Sequence, residues 1–183
     1  MMHRLMKGFF HKGTIVLASA GIIFMSSVSL HALTAGSRMP GFVLRDYNGV
    51  LHYSSDYCGG HVRKPRVLIV DFFATWCKPC KKSLPVIERL YDRYHAKGLQ
   101  VVLIGFQEGE SSLRTFAVSN NLPFTVLMDK YGDTAKDFGV FGLPRTYVIG
   151  KDCMVIKQII GEQPQLESVL EHEIKKALHV RTP

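Results

Sequence analysis

Arg66–Phe73 reads RVLIVDFF, an apolar run whose one acidic interruption is Asp71. A strand that is apolar on both faces must be covered on both faces, so this run predicts a central strand between two layers. It ends at Ala74-Thr75-Trp76-Cys77-Lys78-Pro79-Cys80. Beyond Cys80, Leu84, Ile87, Leu90, Tyr91 and Tyr94 recur at spacings of three and four, the period of an amphipathic helix. That helix should stop near Gly98. A Cys-x-x-Cys pair therefore lies where a buried strand turns into a helix.

The remaining elements fit around that unit. Gly41–Tyr53 holds two short apolar runs about Asn48-Gly49, a dipeptide that favours a tight hairpin because both residues tolerate positive φ. Leu99–Phe106 reads as a second buried strand, Ser111–Ser119 as a helix, Phe124–Met128 as a short strand and Thr134–Phe138 as a helical turn. Arg145–Ile149 and Met154–Ile160 are close enough for an antiparallel hairpin. Glu162–Val180 is an amphipathic helix with Pro164 near its first turn. The central strand–helix–strand unit demands a parallel pair with a right-handed crossover. The expected class is α/β: a mixed central sheet flanked by helices, with an N-terminal β-hairpin extension. The 183 residues suffice for one such domain.

The first 35 residues read differently. Arg4, Lys7 and Lys12 give a basic start, Thr14–Leu30 carries no charge, and the small residues Ala32 and Ala35 follow. This is the pattern of an export signal. The domain is expected at 36–183, and cleavage after Ala32 or Ala35 would release it as a soluble protein. Without cleavage the same segment would be a single anchor, its basic end cytoplasmic and the domain outside. The short apolar run and the small residues favour cleavage, and both outcomes stay open. Either places the domain in the periplasm or on the outer face of the cytoplasmic membrane, where conditions are oxidising. Of the formal charge of +8, three positives belong to this leader, leaving +5. The remaining Lys and Arg are scattered rather than massed on one helix, so no nucleic-acid partner is expected.

A thiolate at a helix N-terminus is stabilised by unpaired N–H groups and by the helix dipole. Cys77 would occupy that position, and Lys78 adds a nearby positive charge. Both should lower its pKa below the free-thiol value of about 8.5. Cys80 follows one turn later, on the same face but deeper. Cys77 can attack a partner disulfide and Cys80 can resolve the mixed disulfide, while Pro79 limits the loop conformations. A Cys-x-x-Cys can also be half a zinc site. Here Cys58 and Cys153 are singletons and no spaced His pair partners the motif, so redox chemistry is favoured, without metal or cofactor.

From about Ser37 to Val180 the chain resembles the thioredoxin-like family, and within it the exported TlpA/ResA branch. Asp71–Cys80 resembles the family's strand-and-motif signature, although Phe73 stands where many relatives have Trp. Pro85 matches the proline of the first helix. Val140–Tyr147 resembles the loop before a later strand, whose proline, here Pro144, is cis and faces the cysteines in the family. The resemblance implies a thioredoxin fold and a protein dithiol–disulfide oxidoreductase. It implies Trp76, Lys78, Pro79, Leu143 and Pro144 as contacts for a partner peptide.

Two acids match family positions. Asp71 matches the buried carboxylate of thioredoxins proper, which could accept the Cys80 proton; the alternative is a strand-end Asp that is solvated or paired with a lysine. Glu108 matches an active-site glutamate of the ResA type; the alternative is an exposed loop acid like its neighbour Glu110. Carrying both departs from either subfamily. Cys58 and Cys153 could form a structural disulfide at the sheet end opposite the motif, or could be unrelated thiols.

The leading expectation is a reductant of exported protein thiols and disulfides, with apocytochrome c as one candidate target, fed by a membrane thiol–disulfide donor and acting as a monomer. A general disulfide oxidant or isomerase is the alternative. Reduction potential separates them, near about −270 mV for reductants and about −120 mV for strong oxidants. A third reading is a copper-delivery protein on the same fold, which would need a His or Met ligand beside the cysteines; His95 and Met128 have no assigned place in the sequence. A peroxidase would need a different arrangement about one cysteine.

Overall fold

The computed structural model describes residues 33–59 and 67–179. Residues 1–32 of the export segment, Arg66 and Val180 lie outside the described residues. Four helices and seven strands run in the order β1 (Val43–Asp46), β2 (Leu51–Tyr53), β3 (Val67–Phe73), α1 (Lys78–Tyr94), β4 (Leu99–Phe106), α2 (Glu110–Ser119), β5 (Thr125–Asp129), α3 (Asp133–Asp137), β6 (Arg145–Gly150), β7 (Val155–Ile160) and α4 (Leu166–His179). Among the described residues no helix is long and apolar enough to cross a membrane.

All the strands form one sheet, in the order β2-β1-β5-β4-β3-β6-β7. β3, β4 and β5 are parallel, and β6 runs antiparallel to β3, with Val67 opposite Gly150 and Phe72 opposite Arg145. All seven residues of β3 are buried, as its two-sided apolar run requires. Alternation along β3 sends Ile69, Phe73 and their neighbours into a core shared with α1, α2 and α4. Leu68, Val70 and Phe72 enter the opposite core, which is closed by α3, Phe42 and Tyr57. Burial of each such side chain contributes roughly 1.5–3 kcal/mol.

α1 presents Cys80, Leu84, Ile87, Leu90 and Tyr94 to the first core, and the chain turns at Gly98 with φ 111°. α2 approaches β4 closely: a Cβ on Gly105 would lie 2.5 Å from Leu113 Cδ2, so glycine permits the contact.

Four details differ from the sequence expectation. The N-terminal hairpin continues the main sheet, because Arg45 pairs with Met128 and Asp46 with Leu127 across β1 and β5. Its turn uses positive φ at Gly49 (84°) and not at Asn48. Asp46 Oδ1 instead accepts the Asn48 and Val50 N–H groups, an Asx-type closure. α4 begins at Leu166, so Pro164 lies in the turn before it. The domain also reaches further upstream than Gly36. Leu33 is buried in the second core, and Gly36 and Ser37 exchange backbone hydrogen bonds with Val155. Leu33, read as part of the leader, thus packs with the domain, while Thr34 and Ala35 are exposed.

Candidate active site

β3 ends at Phe73, and a turn closed by Cys77 N–H donating to the Ala74 carbonyl (3.0 Å) carries the chain into α1. Cys77 is the N-cap of α1, with extended φ/ψ of −77° and 101°. Lys81 N–H donates to its carbonyl at 3.2 Å, and Cys80 N–H donates to its sulfur, also at 3.2 Å. The sulfur thus stands where a capping oxygen usually stands. Pro79 fits the first turn because an N–H there has no helical acceptor. The two sulfurs are bonded, with the Cα atoms 5.3 Å apart.

Cys80 is not deeper than Cys77: each residue is 3% exposed. In this oxidised form the Cys77 sulfur folds inward over the helix end, towards Cys80 and its N–H. After reduction the same N–H groups favour the Cys77 thiolate electrostatically.

Asp71 is buried (2% exposed) and accepts a hydrogen bond from Thr146 Oγ1 at 2.6 Å. It belongs to the β3 face covered by α1, so it lies beneath the helix that bears Cys80. Among the described residues no lysine pairs with it, and it is not solvated. Removal from water pushes its pKa up to about 7, against which the Thr146 bond works.

Glu108 is equally withdrawn from solvent, unlike the exposed Glu110. Its Oε1 accepts from both the backbone N–H and the hydroxyl of Thr75, each at 2.6 Å. Its Oε2 accepts from Ser112 Oγ at 2.5 Å. Gln107, at a left-handed φ of 55°, turns the chain after β4 so that the carboxylate reaches back to the motif loop. Glu108 thereby ties the loop ahead of Cys77 to α2. Phe73 packs on Phe116 of α2 with ring centroids 5.3 Å apart, a packing role for the residue that stands where relatives have Trp.

The rim is apolar and basic. Trp76 is 69% exposed, and Lys78 is exposed on the first turn of α1. The Leu143–Pro144 peptide is cis; Leu143 is half-buried and Pro144 buried. Phe141, at the start of that loop, is 63% exposed.

At the other end of the sheet Cys58 and Cys153 form a second disulfide across 95 residues of sequence. It ties the segment after β2 to the β6–β7 turn, as the antiparallel register of β3 and β6 allows.

The copper ligands raised by the sequence do not converge on the pair. His95 follows the last residue of α1 and stacks on Tyr91, about 25 Å along the helix from Cys77 at 1.5 Å per residue. Met128 lies on β5, two strands from β3. Among the described residues no three potential ligands cluster.

Residues 35–158 match the model of the AhpC/TSA family. The chain belongs to this thioredoxin-like family. It is 35% identical over 141 residues to the thiol-disulfide oxidoreductase ResA of Bacillus thuringiensis subsp. konkukian, covering 77% of each protein. It is 33% identical over the same length to ResA of Geobacillus kaustophilus, again covering 77% of each. A DsbE-like thiol:disulfide interchange protein from Chlorobium tepidum superposes with a TM-score of 0.71 at 32% identity, covering 80% of this chain and 99% of that one. With the Cys77–Cys80 disulfide in place, the chain is a protein thiol–disulfide oxidoreductase of the thioredoxin fold.

Sequence reasoning overlooked Thr146, Thr75, Ser112 and Phe141. Thr146 carried a signal, as a polar side chain inside a buried strand whose register partner is Asp71. Thr75 and Ser112 carried none, because their common partner Glu108 is distant in sequence from the motif.

Proposed function

We propose that this chain is an exported reductant of protein disulfides, held on the outer face of the cytoplasmic membrane or released into the periplasm. In the proposed cycle the reduced Cys77 thiolate attacks one sulfur of a partner disulfide. A mixed disulfide forms and the partner's second sulfur leaves as a thiolate, which takes a proton from solvent; the first sulfur, released in the next step, takes back the proton that Asp71 accepts from Cys80. Asp71 takes the Cys80 proton, and the Cys80 thiolate attacks the Cys77 sulfur and breaks the mixed bond. The partner departs with two thiols, carrying two electrons and two protons, and the Cys77–Cys80 disulfide remains. A membrane dithiol donor restores the reduced form by the reverse exchange.

The observation that carries this reading is the N-cap position of Cys77, whose sulfur accepts the Cys80 N–H, above a carboxyl whose pKa of about 7 suits proton exchange at neutral pH. A stabilised thiolate favours the reduced form, which alone would suit an oxidant; the resemblance of Asp71–Cys80 and Val140–Tyr147 to the exported TlpA/ResA branch implies the reductant, with apocytochrome c as one candidate target. Burial of Leu33 argues against processing after Ala35, which would strip an apolar residue from the core. Processing after Ala32 or retention of the anchor keeps it.

The test is the equilibrium potential of Cys77–Cys80 against a defined thiol buffer, with the redox state in intact cells fixed by acid quench and alkylation. A value near about −270 mV and a largely reduced pool are expected. A value near about −120 mV with an oxidised pool would instead make the protein a donor of disulfides.

A further inference from the structure

We infer that the partner docks through carboxylates placed beside its target disulfide, received by Lys78, Lys81 and the groove between α1 and α2. The inference rests on the disulfide-reductase reading and specifies the substrate class of that same site.

The first turns of α1 carry Lys78, Lys81 and Lys82 and no acid. Positive charge at a helix N-terminus opposes the helix dipole, so this arrangement works against the stability of α1. Lys82 is neutralised by Glu162 at 2.9 Å. Lys78 and Lys81 are exposed, have no acidic partner among the described residues, and share a face because they are three apart. Of the nearby acids, Glu110 is paired with Arg114 and Glu162 with Lys82, while Glu108 keeps its charge but is buried beneath the groove with both oxygens turned to Thr75 and Ser112. The rim of the disulfide thus carries two uncompensated ammonium groups.

A groove of about 720 Å³ runs from this rim along α2. Its lining is mostly apolar, centred on Phe116; Thr75 and Lys81 form its active-site end, and Ser111 and Thr115 contribute hydroxyls. No acidic residue lines it. An ammonium with neighbouring hydroxyls is a donor set for carboxylates. Trp76 and Phe141 supply exposed aromatic surface at the same end of the domain. Together these features fit an extended acidic segment lying beside the disulfide, with an apolar residue near the target cysteine.

The test uses the full chain, reduced, and three disulfide-bonded peptides alike except for glutamate, glutamine or lysine on both sides of the cysteine pair. The second-order rate of peptide reduction is measured at low and high ionic strength. The acidic peptide should react about tenfold faster than the basic one at low salt. The gap should close to within about twofold at 0.5 M salt. Lys78→Glu/Lys81→Glu should reverse the order. Each rate is taken relative to that of the same peptide with a small neutral thiol, which removes the effect of the flanking charges on the disulfide itself, so the ratios report the docking face and are insensitive to any change in the Cys77 thiolate. Equal rates at low salt, a faster basic peptide, or an unchanged order in the double variant would overturn the docking inference while leaving the reductase reading in place. Failure to reduce any of the three would remove that reading and the inference with it.

Discussion

Replacing Asp71 by Asn should stabilise the oxidised protein at neutral pH, by an amount that depends on pH in a defined way. The carboxyl is buried with one hydroxyl partner, and burial raises its pKa from 3.8 to about 7. Between those values the folded protein holds a proton that the unfolded chain has released. Stability therefore falls as pH rises from about 4 to 7 and levels off above. At about 1.4 kcal/mol per pH unit, the cost is near zero at pH 3, on the order of 1–2 kcal/mol at pH 5 and up to about 4 kcal/mol at pH 8. Asn keeps an oxygen for the Thr146 hydroxyl and has no charge to bury. Urea unfolding of both proteins from pH 3 to 8, with both disulfides intact, should show the variant ahead by this growing margin. A margin that does not change with pH, or a variant less stable than the parent at pH 8, would refute the reasoning. If Asp71 also takes the Cys80 proton, the same variant should release its mixed disulfide about 10²-fold more slowly at pH 7.

Other consequences can be checked alongside. Glu108→Ala leaves the Thr75 N–H and two hydroxyls without their acceptor and should cost about 2–4 kcal/mol in chemical denaturation, with Glu108→Gln recovering part of the loss. Removing Cys58 and Cys153 together opens a loop of 95 residues, a chain-entropy loss of about 4–5 kcal/mol; disulfide reductase activity should persist below the lowered Tm. Gly105→Ala should be destabilising, because the added methyl meets Leu113; Leu113→Ala in the same chain should recover part of the loss. Glu171, bonded to Tyr94, Arg93 and Lys175, has its pKa lowered to about 2. The α1–α4 pairing it supports should be present at neutral pH and be lost as pH falls below the ordinary carboxylate range, visible as a salt-sensitive decline in Tm.

Much of this architecture is legible in the residues because it follows from burial. β3 had to be central, since nothing in Val67–Phe73 except Asp71 tolerates water, and β4 coincides with its apolar run. α1 follows the three-four spacing from Leu84 to Tyr94. The attachment of the hairpin to β5 was not legible, because β1 has only four residues and its partner lies some eighty positions away. Depth of burial was equally hidden. Asp71 could be placed from its apolar neighbours, whereas Glu108 is held by Thr75, thirty-three residues upstream, which meets it only in the folded sheet. Likewise, the equal exposure of Cys77 and Cys80 in the bonded pair could not be read from their spacing.

The central claim is that Cys77 is the attacking sulfur and Cys80 the resolving one. Cys80→Ser and Cys77→Ser proteins, each reduced and then exposed to a disulfide-bonded peptide, should differ when analysed by mass spectrometry under non-reducing conditions. The account predicts that a peptide adduct accumulates on Cys77 in the first variant and that almost none forms on Cys80 in the second. Equal adducts on the two, or an adduct on Cys80 alone, would contradict it.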